Sequence, residues 1–324
     1  MTITKEIPVG IAGYFKIEVR NSEGKVVKEL PWQKNEILDS GLRSLHDSAE
    51  SAGLGLGKYC VVGTSADAVD VALDTGVKAQ LGSRVVMTTY TSNRTGEYFA
   101  KTSEYNWAIG DTTGNIAEVG ITNSTSTRFL TRARIKDALG VPTTITVLAD
   151  EQLRVYYELR LYWPMSDLVE IINVNVGTVA APVWVATTMT TRPLYIGSAT
   201  GWDIYQGSGD ALFAHEAVSN YTGWYSYGSD MALALASATI PSGTFIGQAR
   251  YDATFVTLYD PAHTTFEMTV PSTKWNVAGG IGGMKWSARG DLYRTCWQTK
   301  IDPPLPKTNL DVATVNFRIS VTRQ

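Results

Sequence analysis

Glu151–Trp163 reads EQLRVYYELRLYW. Leu153, Val155, Tyr157, Leu159 and Leu161 occupy every second position, with Arg154, Tyr156, Glu158 and Arg160 between them. A period of two places the first set on one face of a β-strand and the second set on the other. The chain closes on a similar segment, Leu310–Val321, LDVATVNFRISV. There Val315, Phe317 and Ile319 alternate with more polar residues, and Arg318 sits between two apolar neighbours as Arg160 does. The alternation predicts that Tyr157, Leu159 and Leu161, and again Val315, Phe317 and Ile319, face a core. Arg160 and Arg318 then face away from it.

Two closing strands of one kind point to two copies of one domain. Further landmarks recur in the same order. YCVVGTS (59–65) pairs with PLYIGSA (193–199), and Phe99 with Trp107 pairs with Phe266 and Trp275. EVGI (118–121) pairs with GGMKW (282–286), and Leu130-Thr131-Arg132 with Leu292-Tyr293-Arg294. Repeats of this kind decide the fold before any local reading does. Pro164 follows the first closing strand, and proline has no N–H to give to a ladder. The boundary therefore falls near 164–168, giving domains 1–165 and 166–324. The expected fold is all-β: two tandem β-sandwich-like domains from an internal duplication, with one short helix near the N-terminus.

That helix lies in NEILDSGLRSLHDSAES, where Ile37, Leu38, Leu42 and Leu45 have helical spacing and Asn35 is placed to cap it. Before it, YFKIEVR (14–20) alternates, NSEGK turns, and VVKEL returns, which is a β-hairpin. SADAVDVALDTGVKAQLG (65–82) is irregular. The second half differs by an insertion-like stretch, 200–247, rich in Trp, Tyr, Gly and Ser.

The chain has 324 residues, 44% hydrophobic and 18% charged, with a net charge of −3. That composition suits folded β-domains and offers no basic tract for a nucleic-acid backbone. MTITKEIPVG lacks the apolar region of a signal peptide, and no apolar run is long enough for a membrane span. Cys60 and Cys296 read as two separate buried thiols rather than a disulfide framework. The expected home is a cytosol, where such thiols stay reduced.

Catalytic chemistry is poorly supplied. His46, His215 and His263 stand in no metal or nucleophile motif. Asp67, Asp70 and Asp74 cluster, but their spacing does not fit a calcium loop. GLGLG (53–57) and AGGIGGMKW (278–286) lack the setting of a phosphate loop. No catalytic residue, metal ligand or cofactor is expected. The remaining candidates are aromatic: Trp202, Tyr205, Tyr221, Trp224, Tyr225 and Tyr227. They can touch an external ligand, because exposed Trp and Tyr give large contact area at low entropy cost. They can equally fill the domain's own core or a subunit interface, which is the expectation adopted.

Several segments together resemble a group of structural proteins of tailed bacteriophages. GYFKIEV with WQKNEILDSGLRSL is similar to that group's opening strand and its N-x-I-x-x-x-G-L helix start, here Asn35, Ile37, Gly41 and Leu42. YCVVGTSA followed by LG (81–82) looks like its VGTG block. IAEVGI, RFLTRARI and ITVLADEQLRVYYELRLYWP look like its most specific part. The resemblance covers residues 11–164. It implies a non-enzymatic virion protein, assembled in the host cytoplasm and placed in the tail as fibre, adapter or baseplate-associated component. Its implied partners are other virion proteins and its own copies in a symmetric set, a trimer being favoured. A capsid decoration or head-fibre protein is the structural alternative. A binder of host receptor or surface glycan through the aromatic stretch is another, and a depolymerase or glycosidase is the enzymatic one.

Overall fold

The computed structural model describes residues 2–46, 57–123, 128–162, 164, 166–177, 180–193, 223–233, 242–248, 254–259, 263–287 and 295–324. The first half runs β1 (Thr2–Arg20), β2 (Val26–Ile37), α1 (Asp39–His46), β3 (Tyr59–Gly63), β4 (Gln80–Val86), β5 (Thr89–Arg94) and β6 (Phe99–Asn106). It continues with β7 (Gly114–Ile116), β8 (Glu118–Thr122), β9 (Phe129–Arg134), β10 (Ile145–Val147) and β11 (Gln152–Tyr162). The second half runs β12 (Leu168–Asn175), β13 (Trp184–Pro193), β14 (Gly223–Tyr227), β15 (Phe245–Gln248) and β16 (Thr254–Tyr259). β17 (His263–Val270), β18 (Ile281–Ser287), β19 (Thr295–Leu305) and β20 (Ala313–Arg323) complete it. The protein is all-β apart from α1 among the described residues.

The chain divides into two compact units. The first contains Val9–Trp163 and Val321–Gln324, and the second contains Pro164–Ile204, Ala211–Ser320 and Met1–Pro8. The main division falls at Pro164, but the ends are exchanged relative to the expected domains 1–165 and 166–324. The first eight residues go with the second unit because Ile3 and Ile7 are buried there and Lys5 pairs with Glu170 at 2.9 Å. The last four go with the first unit, where Arg323 Nε donates to the Ile37 carbonyl at 2.7 Å.

In the first unit the strands lie in the order β5-β6-β11-β1-β2-β9-β8-β3-β4, and β7 pairs with β10. Each of these pairings is antiparallel. β11 is a central strand. It runs beside β1 from Gly10↔Tyr162 to Arg20↔Gln152, and beside β6 from Leu161↔Phe99 to Arg154↔Asn106. Leu153, Val155, Tyr157, Leu159 and Leu161 are buried, and the residues between them are half-exposed. The reading of EQLRVYYELRLYW holds residue by residue. Gly13 on β1 is needed because a Cβ there would meet the Tyr157 hydroxyl at 2.5 Å. The NSEGK turn forms as expected: Gly24, at φ 80°, donates to the Asn21 carbonyl, and the Asn21 side chain accepts from the Glu23 and Lys25 amides.

The helix begins at Asp39, not near Asn35. Asn35 lies within β2, almost fully buried, and its Nδ2 donates to Thr131 Oγ1 at 2.8 Å. It is therefore a core polar residue and not a cap. The spacing of the N-x-I-x-x-x-G-L motif now has a physical reason. Ile37 and Leu42 are buried, and a Cβ on Gly41 would lie 2.2 Å from the Leu130 carbonyl. Glycine lets the helix sit directly on the β9 backbone.

In the second unit two runs are seen, β16-β17-β20 and β12-β13-β19-β18-β14-β15. β20 also pairs with β1. Val315 is buried and Arg318 half-exposed; the side chains of Phe317 and Ile319 lie outside the described residues. Within 200–247, β14 and β15 pair with each other and β14 with β18, so these two strands belong to the sheet; 200–222 and 234–241 lie outside the described residues. Of the proposed landmark at 193–199, Pro193 closes β13 and the rest lies outside the described residues, as does Leu292-Tyr293-Arg294.

Candidate functional site

The densest polar cluster in the described residues sits in the first unit, where β8 and β9 meet the irregular segment 64–79. Gly120 of β8 and Glu36 of β2 flank Arg132 of β9. The Arg132 side chain is fully buried. Its Nε donates to Glu118 Oε2 at 2.7 Å and its Nη1 to Asp74 Oδ2 at 2.6 Å. The same guanidinium reaches the Ala68 and Asp67 carbonyls, each at 3.2 Å. Glu118, also fully buried, accepts from the amides of Lys78 and Ala79 and from that of Ser65 at 3.4 Å.

A buried guanidinium carries donors that are costly to leave unmet. Here two carboxylates and two carbonyls take four of its five N–H donors, so a loop with no ladder of its own is tied to the sheet. Burial works against charge on Asp74, but the Asp70 amide and the Arg132 guanidinium outweigh it and hold that carboxyl below its usual range. The acidic triplet thus has a structural use. Asp74 grips Arg132, Asp70 Oδ1 caps the Ala72 and Leu73 amides, and Lys78 lies 3.6 Å from Asp67. No group of His, Cys, Asp and Glu suited to a metal occurs among the described residues.

Beside this cluster lies an open pocket of about 420 Å³ lined by Leu73, Asp74, Lys78, Gln80, Arg84 and Phe129, among others. The Asp74 carboxylate on its wall is engaged by Arg132. Elsewhere in the unit, burial lowers Lys101 to about 8, with its Nζ 5.1 Å from the Tyr90 ring centroid. Burial pushes the Cys60 thiol and the Tyr105 and Tyr157 phenols up, away from reactive forms.

The aromatic candidates separate. Tyr227 is buried against Met231 and Leu233, with the Phe245 ring 6.4 Å away in an edge-on arrangement. Trp224 and Tyr225 are on β14, opposite Trp286 and Lys285 of β18. Trp202, Tyr205 and Tyr221 lie outside the described residues. Of the histidines, His46 ends α1, His263 opens β17, and His215 lies outside the described residues.

Sequence reading missed Arg132 and Glu118 as partners. Each is a charged residue inside an otherwise apolar strand, EVGIT and FLTRAR, and that is the one signal that could have flagged them. A different arrangement occupies the outer face of the first unit. The Arg160 guanidinium lies 4.1 Å from the Tyr14 ring centroid and 4.6 Å from that of Tyr98. Lys16 bridges Glu18 and Glu29, and Arg154 pairs with Glu104. No protein-family description, curated protein or solved structure matches the chain.

Proposed function

We propose that this chain is a non-enzymatic structural subunit of a phage virion, built from two tandem copies of one β-module and placed in the tail. The observation that carries this reading is the strand order. Matched in chain order, β1, β2, β3, β4, β5, β6, β8, β9 and β11 of the first unit correspond to β12–β20 of the second. The first unit's order then translates into β16-β17-β20-β12-β13-β19-β18-β14-β15. The second unit keeps all of it except the β20–β12 neighbourhood, where β20 pairs with β1. Duplication explains why both halves close on an alternating strand with an embedded arginine.

Two further features support a scaffold. Two fully buried charges, Arg132 and Glu118, hold a loop in place. In the second unit the Lys307 ammonium does the same for the turn after β17, donating to the carbonyls of Pro271 and Lys274 and to Asn276 Oδ1. The resemblance of residues 11–164 to phage structural proteins supplies the virion context and the tail as first location. The test is electron microscopy of purified particles labelled with an antibody against this chain. Label on the tail is the expected result, label on the head selects the capsid alternative, and unlabelled particles that lack the chain by mass spectrometry end the reading.

A further inference from the structure

The β12–β13 hairpin of the second unit has a buried side and an open side. Val174, Thr187, Met189 and Thr191 are buried. Directly paired residues of an antiparallel ladder share a face. Val169 with Thr190, Ile171 with Thr188, Asn173 with Ala186 and Asn175 with Trp184 therefore make up the other side. There Val169 is 63% exposed, Ile171 76% and Trp184 64%. Large apolar groups at a surface usually stand singly, and a row of them along one hairpin marks a contact surface. The eight paired residues of this face carry no charge. At the hairpin's open end Arg192 Nε and Nη2 donate to Asp167 Oδ1 and Oδ2 at 2.8 and 2.7 Å, so those two charges offset each other.

We propose that this face is a homotypic contact: a second copy of the chain stacks its own β12–β13 face upon it, strands reversed about a twofold axis. An uncharged face meets itself without like-charge repulsion, and that favours a second copy over a charged partner. Reversal also matches the two ends of the hairpin. Trp184 lies at the closed end and the Arg192–Asp167 pair at the open end, so each indole covers the other copy's guanidinium, a favourable ring–cation arrangement. Ile171, near the middle, meets its own equivalent.

The face is roughly 26 Å long and 10 Å wide from strand rise and spacing. Two such faces bury well under the roughly 1,600 Å² of a standard interface. The contact is therefore weak between isolated chains and is strengthened where many copies repeat it. It makes pairs of chains, in place of the trimer expected from sequence. It stands on the hairpin and does not depend on the virion assignment.

Sedimentation equilibrium of the full chain tests it. The wild type is expected to move reversibly with concentration from the 35.3 kDa of one chain toward twice that mass. Ile171→Glu is expected to stay at one-chain mass with an unchanged melting temperature, because Ile171 is mostly exposed in a single copy. A second measurement is independent of that variant's folding. Ile171→Cys, treated with a short bis-maleimide beside the parent chain, should give a two-chain band well above the parent's. Trp184→Cys should give much less, because reversal carries the two equivalent positions to opposite ends. Association that Ile171→Glu leaves intact overturns the proposal. So does a wild type at one-chain mass throughout with no Ile171→Cys cross-link above the parent's.

Discussion

The β1–β2 and β12–β13 hairpins present opposite surfaces. On β1 and β2, Lys16, Glu18, Arg20 and Glu29 form a chain of ion pairs, and Lys28 reaches Glu151. On β12 and β13 the open side carries Val169, Ile171 and Trp184. Both interiors hold polar groups. The first unit buries Arg132, Glu118 and Asp74, and the second buries Lys285 and Lys307 and, on the β13–β19 ladder, joins Thr191 and Thr299 by a buried hydroxyl bond of 2.9 Å. A β-ladder thus accommodates apolar or charged side chains on either side, provided each buried donor and acceptor is met. The backbone plan is set by the ladder, and the side chains decide what each unit touches.

The contrast breaks most visibly at Arg132. Arg132→Ala leaves the Glu118 carboxylate buried without its cation and should destabilise the first unit by about 3–5 kcal/mol. Hydrogen exchange of the β8 and β9 amides reads it, and a loss below about 1 kcal/mol would mean the cluster does not hold the loop. Leu159→Ala, in the middle of β11, should cost about 2–5 kcal/mol by opening a cavity between β1 and β6. Arg160→Ala, one residue away on the outer face, should cost no more than about 1 kcal/mol. Equal losses on urea unfolding would refute the facing assigned to that strand.

In the second unit the test is milder. Thr299→Ala removes a neutral hydroxyl pair and should cost about 1 kcal/mol, close to the usual net value of one hydrogen bond. Calorimetry should place it well below Arg132→Ala, and a comparable loss would mean that this hydroxyl pair holds more than a single hydrogen bond's worth. Lys101 reports through pH rather than through a lost contact. Its folded pKa, about 8, lies below the ordinary lysine value of about 10.4. Between those values the unfolded chain binds more protons than the folded one, so stability rises with pH across that window. Lys101→Met should abolish the rise and stabilise the first unit at neutral pH. A rise that persists in the variant would assign it to another group.

EQLRVYYELRLYW and the YFKIEVR hairpin were legible because each is written in local pattern: period two and a turn sequence. The start of the helix was not. Asn35 has the side chain of a cap, and only the arrival of Thr131 from a distant strand makes it a core residue instead. The aromatic stretch hid its strands for a related reason. Composition made 200–247 look inserted, but a strand such as β14 is defined by its partners β15 and β18, and partners are not visible in a window of sequence. The acidic triplet's structural use needed Arg132, 58 residues away from Asp74.

The sequence by itself determined the all-β character, the facing of residues along β11, and the recurrence of one kind of strand at two chain positions. Those follow from nearest-neighbour backbone sterics and from the alternation of apolar and polar groups, which act over a few residues. Tertiary structure alone decided that Arg132 and Glu118 share a buried site, that the first eight and last four residues exchange units, and that β20 takes β1 as a neighbour. These depend on which distant segments meet once the chain closes. A desolvated charge or an unpaired strand edge takes the partner that satisfies it, wherever in the sequence that partner lies.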